Sequence, residues 1–161
     1  VYHRNFGLPV KIVRPFNVYG PGLRPDDGRV IPDFVDNAIH GNPITLLSDG
    51  SSTRSFCYIT DAIAAMLLLL VSDYDGEAFN VGNNEETTIK AVAEQIDELF
   101  EGKPGIRYAT SEDVHYLSDS PARRCPDLTK TKRAITWEPS VGLQEGLSRV
   151  VRSYGTPGDQ S

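Results

Sequence analysis

A chain of 161 residues fits one domain by the usual size of domains. With 39% apolar and 24% charged residues it has the composition of a soluble globular protein. A net charge of -6 argues against a general nucleic-acid binder or a protein of anionic membrane surfaces, since both need a basic surface. Arginine clusters can still hold an anion inside an acidic protein.

The chain begins with "VYHRNFG", which has the look of a helix's last turn. Tyr2 and Phe6 are four apart and share a face. Gly7 stands where a C-terminal cap belongs. A helix tail without its helix implies a chain cut from something longer. "LPVKIVRP" follows as a buried strand, with β-branched Val10, Ile12 and Val13 bounded by Pro9 and Pro15. It runs into "RPFNVYGPGLRPDDGRV", a stiff, arginine-rich stretch too long and too polar for a plain turn.

"IPDFVDNAIHG" carries apolar residues at a helical period, at Ile31, Phe34, Val35, Ala38 and Ile39, and stops at Gly41. "PITLL" is a short strand, "SDGSS" a turn, and "RSFCYI" an alternating strand. Asp61 is placed to cap "AIAAMLLLLV", residues 62–71, as a buried helix. That run is about half of what a bilayer needs, and nothing resembles a signal peptide. "EAFNVG" is a strand leading into the loop "NNEE". Thr87 or Thr88 caps a helix with Ile89, Val92, Ala93, Ile96, Leu99 and Phe100 on one side. "GIRYAT" is a strand, "DLTKTKRAI" a short helix capped by Asp127, and "SVGLQEGLSRVVRSYG" an amphipathic helix with Leu143, Leu147, Val150 and Val151 inward. The tail 156–161 is frayed. Alternating strands and helices make the class α/β.

Chemistry-bearing patterns are few. The sequence holds no GxSxG, HExxH, Walker A or GxGxxG. Cys57 and Cys125 form no CxxC and stand near no histidine pair, so they read as reduced thiols and no metal site is expected. Arg14, Arg24 and Arg29 flank the opening loop, Arg54 follows a glycine turn, and Arg123 and Arg124 lie between prolines. Paired N–H contacts from arginine suit a diphosphate. On composition alone the same residues read more readily as surface arginines matched to carboxylates. Asn17, just past a strand, can hold a sugar hydroxyl or a phosphate oxygen, or it can start an Asx turn. Read alone, Tyr2 fills a core. The "DDG" turn at 26–28 lacks the ligands of a metal loop.

The stretches "RPFNVYGPGLRPDDGRVIPDFV", "SDGSSTRSFCYITDAI", "FNVGNNEETTI" and "SPARRCPDLTKTKRAITWEPSVGLQEGL" occur in this order. Together they resemble the C-terminal half of extended short-chain dehydrogenases of the NAD-dependent epimerase/dehydratase type. The nearest group is the UDP-glucuronate decarboxylases, then the dTDP-glucose 4,6-dehydratases and nucleotide-sugar 4-epimerases. The resemblance covers residues 1–155. It implies the C-terminal part of an extended Rossmann-like NAD(P)-binding fold with the small substrate-binding α/β subdomain. It also implies NAD as cofactor, a nucleotide-sugar such as UDP-glucuronate as substrate, and a homodimer.

Residue by residue, the resemblance sets Val18, Arg24 and Arg29 near NAD. It sets Tyr2, Asn5, Asn17, Arg29, Thr45, Leu47, Arg54, and Arg123 or Arg124, near the nucleotide-sugar. No catalytic residue falls within the chain. The family's Tyr-x-x-x-Lys and Gly-rich loop are expected upstream of Val1. Ser120 and Cys125 depart from the acidic or basic residues of many relatives, which leaves the sugar open. A cytoplasmic protein is expected, with a membrane anchor upstream left open. A binding module without catalysis is the rival reading.

Overall fold

The computed structural model describes residues 1–24, 28–110 and 121–154. The turn at 26–27, Ser120 and the tail at 156–161 lie outside the described residues. Strands and helices alternate along the chain, as the α/β class requires. The chain opens with α1 (Tyr2–Phe6), which Gly7 closes in the left-handed region at φ 67°. The rings of Tyr2 and Phe6 do share a face, with centroids 6.2 Å apart. The helix buries no residue, so Tyr2 is not core filler.

Four small sheets follow. β1 (Ile12–Pro15) pairs in parallel with β6 (Ala78–Val81). The sequence predicts a buried strand here, but Ile12 is 48% exposed. The reason is pairing: β6 is the only strand beside β1 among the described residues. β2 (Val18–Tyr19) pairs with β5 (Cys57–Tyr58), and β3 (Ile44–Leu46) with β8 (Ile106–Tyr108), both in parallel. The fourth sheet has the order β7 (Glu86–Thr88), β4 (Thr53–Ser55), β9 (Arg123–Arg124). There β4 runs antiparallel to β7 and parallel to β9.

This sheet corrects the single strand expected over 54–59. The chain breaks at Phe56, and its two halves join different sheets because the Cys57 amide turns to Asn17 O at 3.1 Å. Neither β7 nor β9 shows in the sequence. They have three and two polar residues, too short for an alternation to register.

α2 (Val30–Ile39), α4 (Ile89–Leu99) and α6 (Leu143–Ser153) enclose the larger core, around Phe34, Val35, Ile44, Ile96, Leu147 and Val150. Thr88 caps α4 by accepting from the Ala91 amide at 3.1 Å. The smaller core joins α3 (Ile59–Leu70) to Phe79, Val81, Leu128 and Trp137.

Two expectations about α3 fail. It starts at Ile59, so Asp61 lies inside the first turn and does not cap it. Its carboxylate instead accepts from the Ser140 amide (3.0 Å), the Ser140 hydroxyl (2.8 Å) and the Val141 amide (2.9 Å). This ties the helix to the segment that leads into α6. Nor is α3 buried all round: Ala62, Ala65 and Leu69 face the core, while Ile63, Leu67 and Leu70 are exposed. In α5 (Thr129–Ile135) the N-cap position is Leu128. Asp127 stands one residue earlier and accepts from the Thr129 amide at 2.8 Å.

Candidate functional site

A cleft of about 890 Å³ opens between α2, β3, β4 and the loop after β2. Its size is that of a site for a small organic ligand. The segment Ser52–Phe56 shows how the wall is built. Alternate residues of a strand point to one face, and Ser52, Arg54 and Phe56 all line the cleft while Thr53 and Ser55 do not. β9 lies in register with β4, Arg54 opposite Arg124. Both arginines line the cleft. Arg54 is half-buried, and its Nη1 donates to Thr53 O at 2.8 Å, which fixes the guanidinium against its own strand.

Arg123 is on the other face. Its Nε and Nη2 donate to both carboxylate oxygens of Glu86, at 2.9 Å and 2.5 Å for the shortest contacts. Thr53 Oγ1 donates to the same carboxylate at 3.1 Å. The hydrogen bonds from Arg123 are the main cause that holds the Glu86 carboxyl below its usual range.

Asn17 lines the cleft at the end of the β1 segment. Its backbone has φ 41°, a left-handed conformation that asparagine tolerates better than most residues. Its Nδ2 donates to Ser55 O at 2.8 Å, across 38 residues of chain. This bond ties the loop to β4. Val18, Arg29, Thr45 and Leu47 line the same cleft. Thr45 Oγ1 accepts from Arg107 Nη2 at 3.1 Å at the β3–β8 pairing.

The structure therefore brings together Asn17, Val18, Arg29, Thr45, Leu47, Arg54 and Arg124. Tyr2, Asn5, Arg24 and Arg123 do not line the cleft. Tyr2 and Asn5 are on the exposed α1, and Arg24 is exposed on the loop after β2.

Sequence reasoning missed Tyr19, Asp33, Asn37, Ser52 and Phe56 as lining residues. The alternation of "SSTRSF" could have found Ser52 and Phe56, and the helical period after Arg29 could have found Asp33 and Asn37. Tyr19 is 2% exposed and donates to Leu143 O at 3.3 Å. Burial, then the neighbouring Tyr58, pushes its phenol far above the usual range, so it is a protonated wall and no base.

A profile of the NAD dependent epimerase/dehydratase family matches residues 1–82. The chain belongs to that family. UDP-glucuronic acid decarboxylase 1 of Arabidopsis thaliana is 40% identical over 153 residues, covering 95% of this chain and 34% of that protein. The solved dTDP-glucose 4,6-dehydratase of Bacillus anthracis, in complex with NAD, matches at a TM-score of 0.81 and 33% identity, over 95% of this chain and 46% of that one. The UDP-glucuronic acid 4-epimerase of Bacillus cereus, in complex with UDP-glucuronic acid and NAD, matches at 0.81 and 28%, over 94% and 47%.

The chain thus spans about a third of the decarboxylase and under half of each of the two structures. The likeness of fold to these epimerase/dehydratase structures bears out the Rossmann-like α/β class. Among the described residues no helix is long and apolar enough to cross a membrane.

Proposed function

We propose that the cleft binds the diphosphate and base of a nucleotide-sugar in an NAD-dependent decarboxylase of the UDP-glucuronate type. One observation carries this reading: Arg54 and Arg124 stand side by side in register and line the same cleft as Arg29. Like charges directly opposite on neighbouring strands are unfavourable. An anion between them removes that cost, and a diphosphate offers each guanidinium a charge-assisted contact. Thr45 and Leu47 would flank the base, and Asn17 the sugar. The similarity to UDP-glucuronic acid decarboxylases supports the choice of sugar.

When bound, NAD would supply a reversible hydride acceptor for C4 of the sugar, the transient 4-keto group allowing the C5 carboxylate to leave as carbon dioxide. The residues of this chain fit one wall for the cofactor and not its cradle. Val18 lines the cleft, but the sequence has no Gly-rich dinucleotide turn and no Tyr-x-x-x-Lys. No proton or hydride step is therefore assigned to residues 1–161, whose part is to bind and orient the substrate. We assign the turn and the Tyr-x-x-x-Lys base to a Rossmann half outside these residues, and residues 1–155 to the C-terminal half of one epimerase/dehydratase domain.

Titration with UDP tests the binding part. Losing a charge-assisted contact of about 1.5–3 kcal/mol means that Arg54→Ala weakens UDP about ten- to a hundredfold. A change under twofold by calorimetry refutes the assignment. Product analysis with UDP-glucuronate, run on these residues together with their Rossmann half, tests the chemistry, since residues 1–161 alone should bind without turnover. UDP-xylose and carbon dioxide support decarboxylation, a C4 epimer supports the epimerase reading that the Bacillus cereus structure favours, and binding without turnover supports a binding module.

A further inference from the structure

The two arginines of β9 do different things. In register terms Thr53 pairs with Arg123 and Arg54 with Arg124. Successive residues of a strand face opposite ways, so β9 turns Arg124 to the cleft and Arg123 to the back of the sheet. On that back face Thr53 is the register partner of Arg123, and Glu86, opposite Ser55 on β7, reaches both of them diagonally. Arg123 binds Glu86 through Nε and Nη2, and Thr53 Oγ1 joins the same carboxylate. β9 is a short strand at the edge of its sheet. It has two residues, and the further backbone bond beside it runs from Thr53 N to Ala122 O at 2.9 Å. On the cleft face Arg54 and Arg124 are register partners, so their like charges are brought to one side of the sheet.

We propose that the Glu86–Arg123 pair is a latch that keeps β9 on the sheet and so holds Arg124 in the anion site. Glu86 and Arg123 are positioning residues that act through Arg124 and do not touch the ligand. The inference rests on the reading of the cleft as a diphosphate site.

The sign of one substitution separates a latch from plain electrostatics. Glu86→Gln removes a negative charge about one strand away from the site. By charge alone it should tighten binding of an anion. By releasing the latch it should weaken it.

The experiment is a calorimetric titration with UDP of the protein and of its Glu86→Gln, Arg123→Ala, Arg124→Ala and Arg123→Ala/Arg124→Ala variants. Thermal unfolding runs in parallel. Arg123 is exposed on an edge strand, so its variants should fold. Exposed ion pairs are weak, so Glu86→Gln and Arg123→Ala should each weaken UDP only about two- to fivefold. Once Arg124 is alanine, Arg123→Ala should have no further effect.

Tighter binding by Glu86→Gln overturns the latch, and so does an equal loss from Arg123→Ala with or without Arg124. If Arg124→Ala weakens UDP while both back-face variants bind normally, the cleft reading stands and the latch falls. If neither Arg54→Ala nor Arg124→Ala changes UDP binding, both fall together.

Discussion

Gly146→Ala should destabilise the protein although it replaces glycine inside a helix. By intrinsic propensity the change favours α6 by about 1 kcal/mol. The environment opposes it. A Cβ built at Gly146 would meet Tyr19 Cζ at 2.7 Å and Tyr58 Cδ2 at 3.0 Å, with the Tyr19 hydroxyl closer still. Ordinary contacts start near 3.4 Å, so Tyr19 must move by about 0.7 Å at Cζ and by about twice that at its hydroxyl. Tyr19 is 2% exposed and packs edge-on to both Phe56 and Tyr58, so it has little room to give. Overpacking of this kind costs about 1–3 kcal/mol. Displacing the phenol from Leu143 O costs about another 1 kcal/mol. The net loss is about 1–3 kcal/mol, or roughly 2–12 °C in Tm at this chain length. Thermal and urea unfolding measure it. Tyr19→Phe removes the nearest atom, so in that background the cost of Gly146→Ala should fall by at least about 0.5 kcal/mol. An unchanged or raised Tm for Gly146→Ala would refute the reasoning, as would strict additivity in the double variant. Because Tyr19 also lines the cleft, UDP affinity should fall along with stability.

Asn17→Ala should cost more stability than Asn17→Gly, by about 1 kcal/mol, since both lose the bond to Ser55 O but only alanine is strained at φ 41°; equal urea midpoints would show that the backbone carries no strain. Cys57 is fully buried, and burial, then Asp61, pushes its thiol up to about 12. Native protein at pH 8 should therefore leave Cys57 unlabelled by a maleimide that reacts with it after denaturation, and rapid native labelling would contradict this burial. The sign of the linkage follows: the neutral thiol's contribution is complete below the unfolded value of 9.0 and is lost as pH rises from there towards about 12. For Glu86 the sign reverses. Its folded carboxyl is held below 4.5, so the contribution of the latch is present above that pH and disappears as pH falls through the lower folded value; an acid-unfolding profile unchanged by Glu86→Gln would count against it.

The sequence disclosed what long periodic segments disclose. α2, α4 and α6 repeat their apolar residues at helical spacing over ten or eleven residues, and their buried faces match that spacing. It misled where an element's surroundings decide the outcome. "AIAAMLLLLV" is apolar on every side, so composition predicts burial, yet α3 covers only Ala62, Ala65 and Leu69 on its inner face. "PVKIV" has the β-branched residues of a central strand, but the described residues give it one neighbour. Hydrophobicity records what a surface can bury and does not record which surface is next to it.

The arginines expose a different limit. Composition counts Arg123 and Arg124 as one basic patch, and a linear reading has no reason to separate them. A strand separates them completely, because its period of two sends neighbours to opposite faces. β9 was invisible as a strand, since two residues cannot display a period, so the one fact needed to tell the residues apart was the one the sequence could not supply. The partner that gives Arg123 its place, Glu86, is 37 residues away on a second short strand that reads as a loop. The site is thus assembled from edge pieces that are individually too short to be recognised. Their register places Arg54 opposite Arg124 in front and leaves Arg123 behind, where the salt bridge to Glu86 holds it.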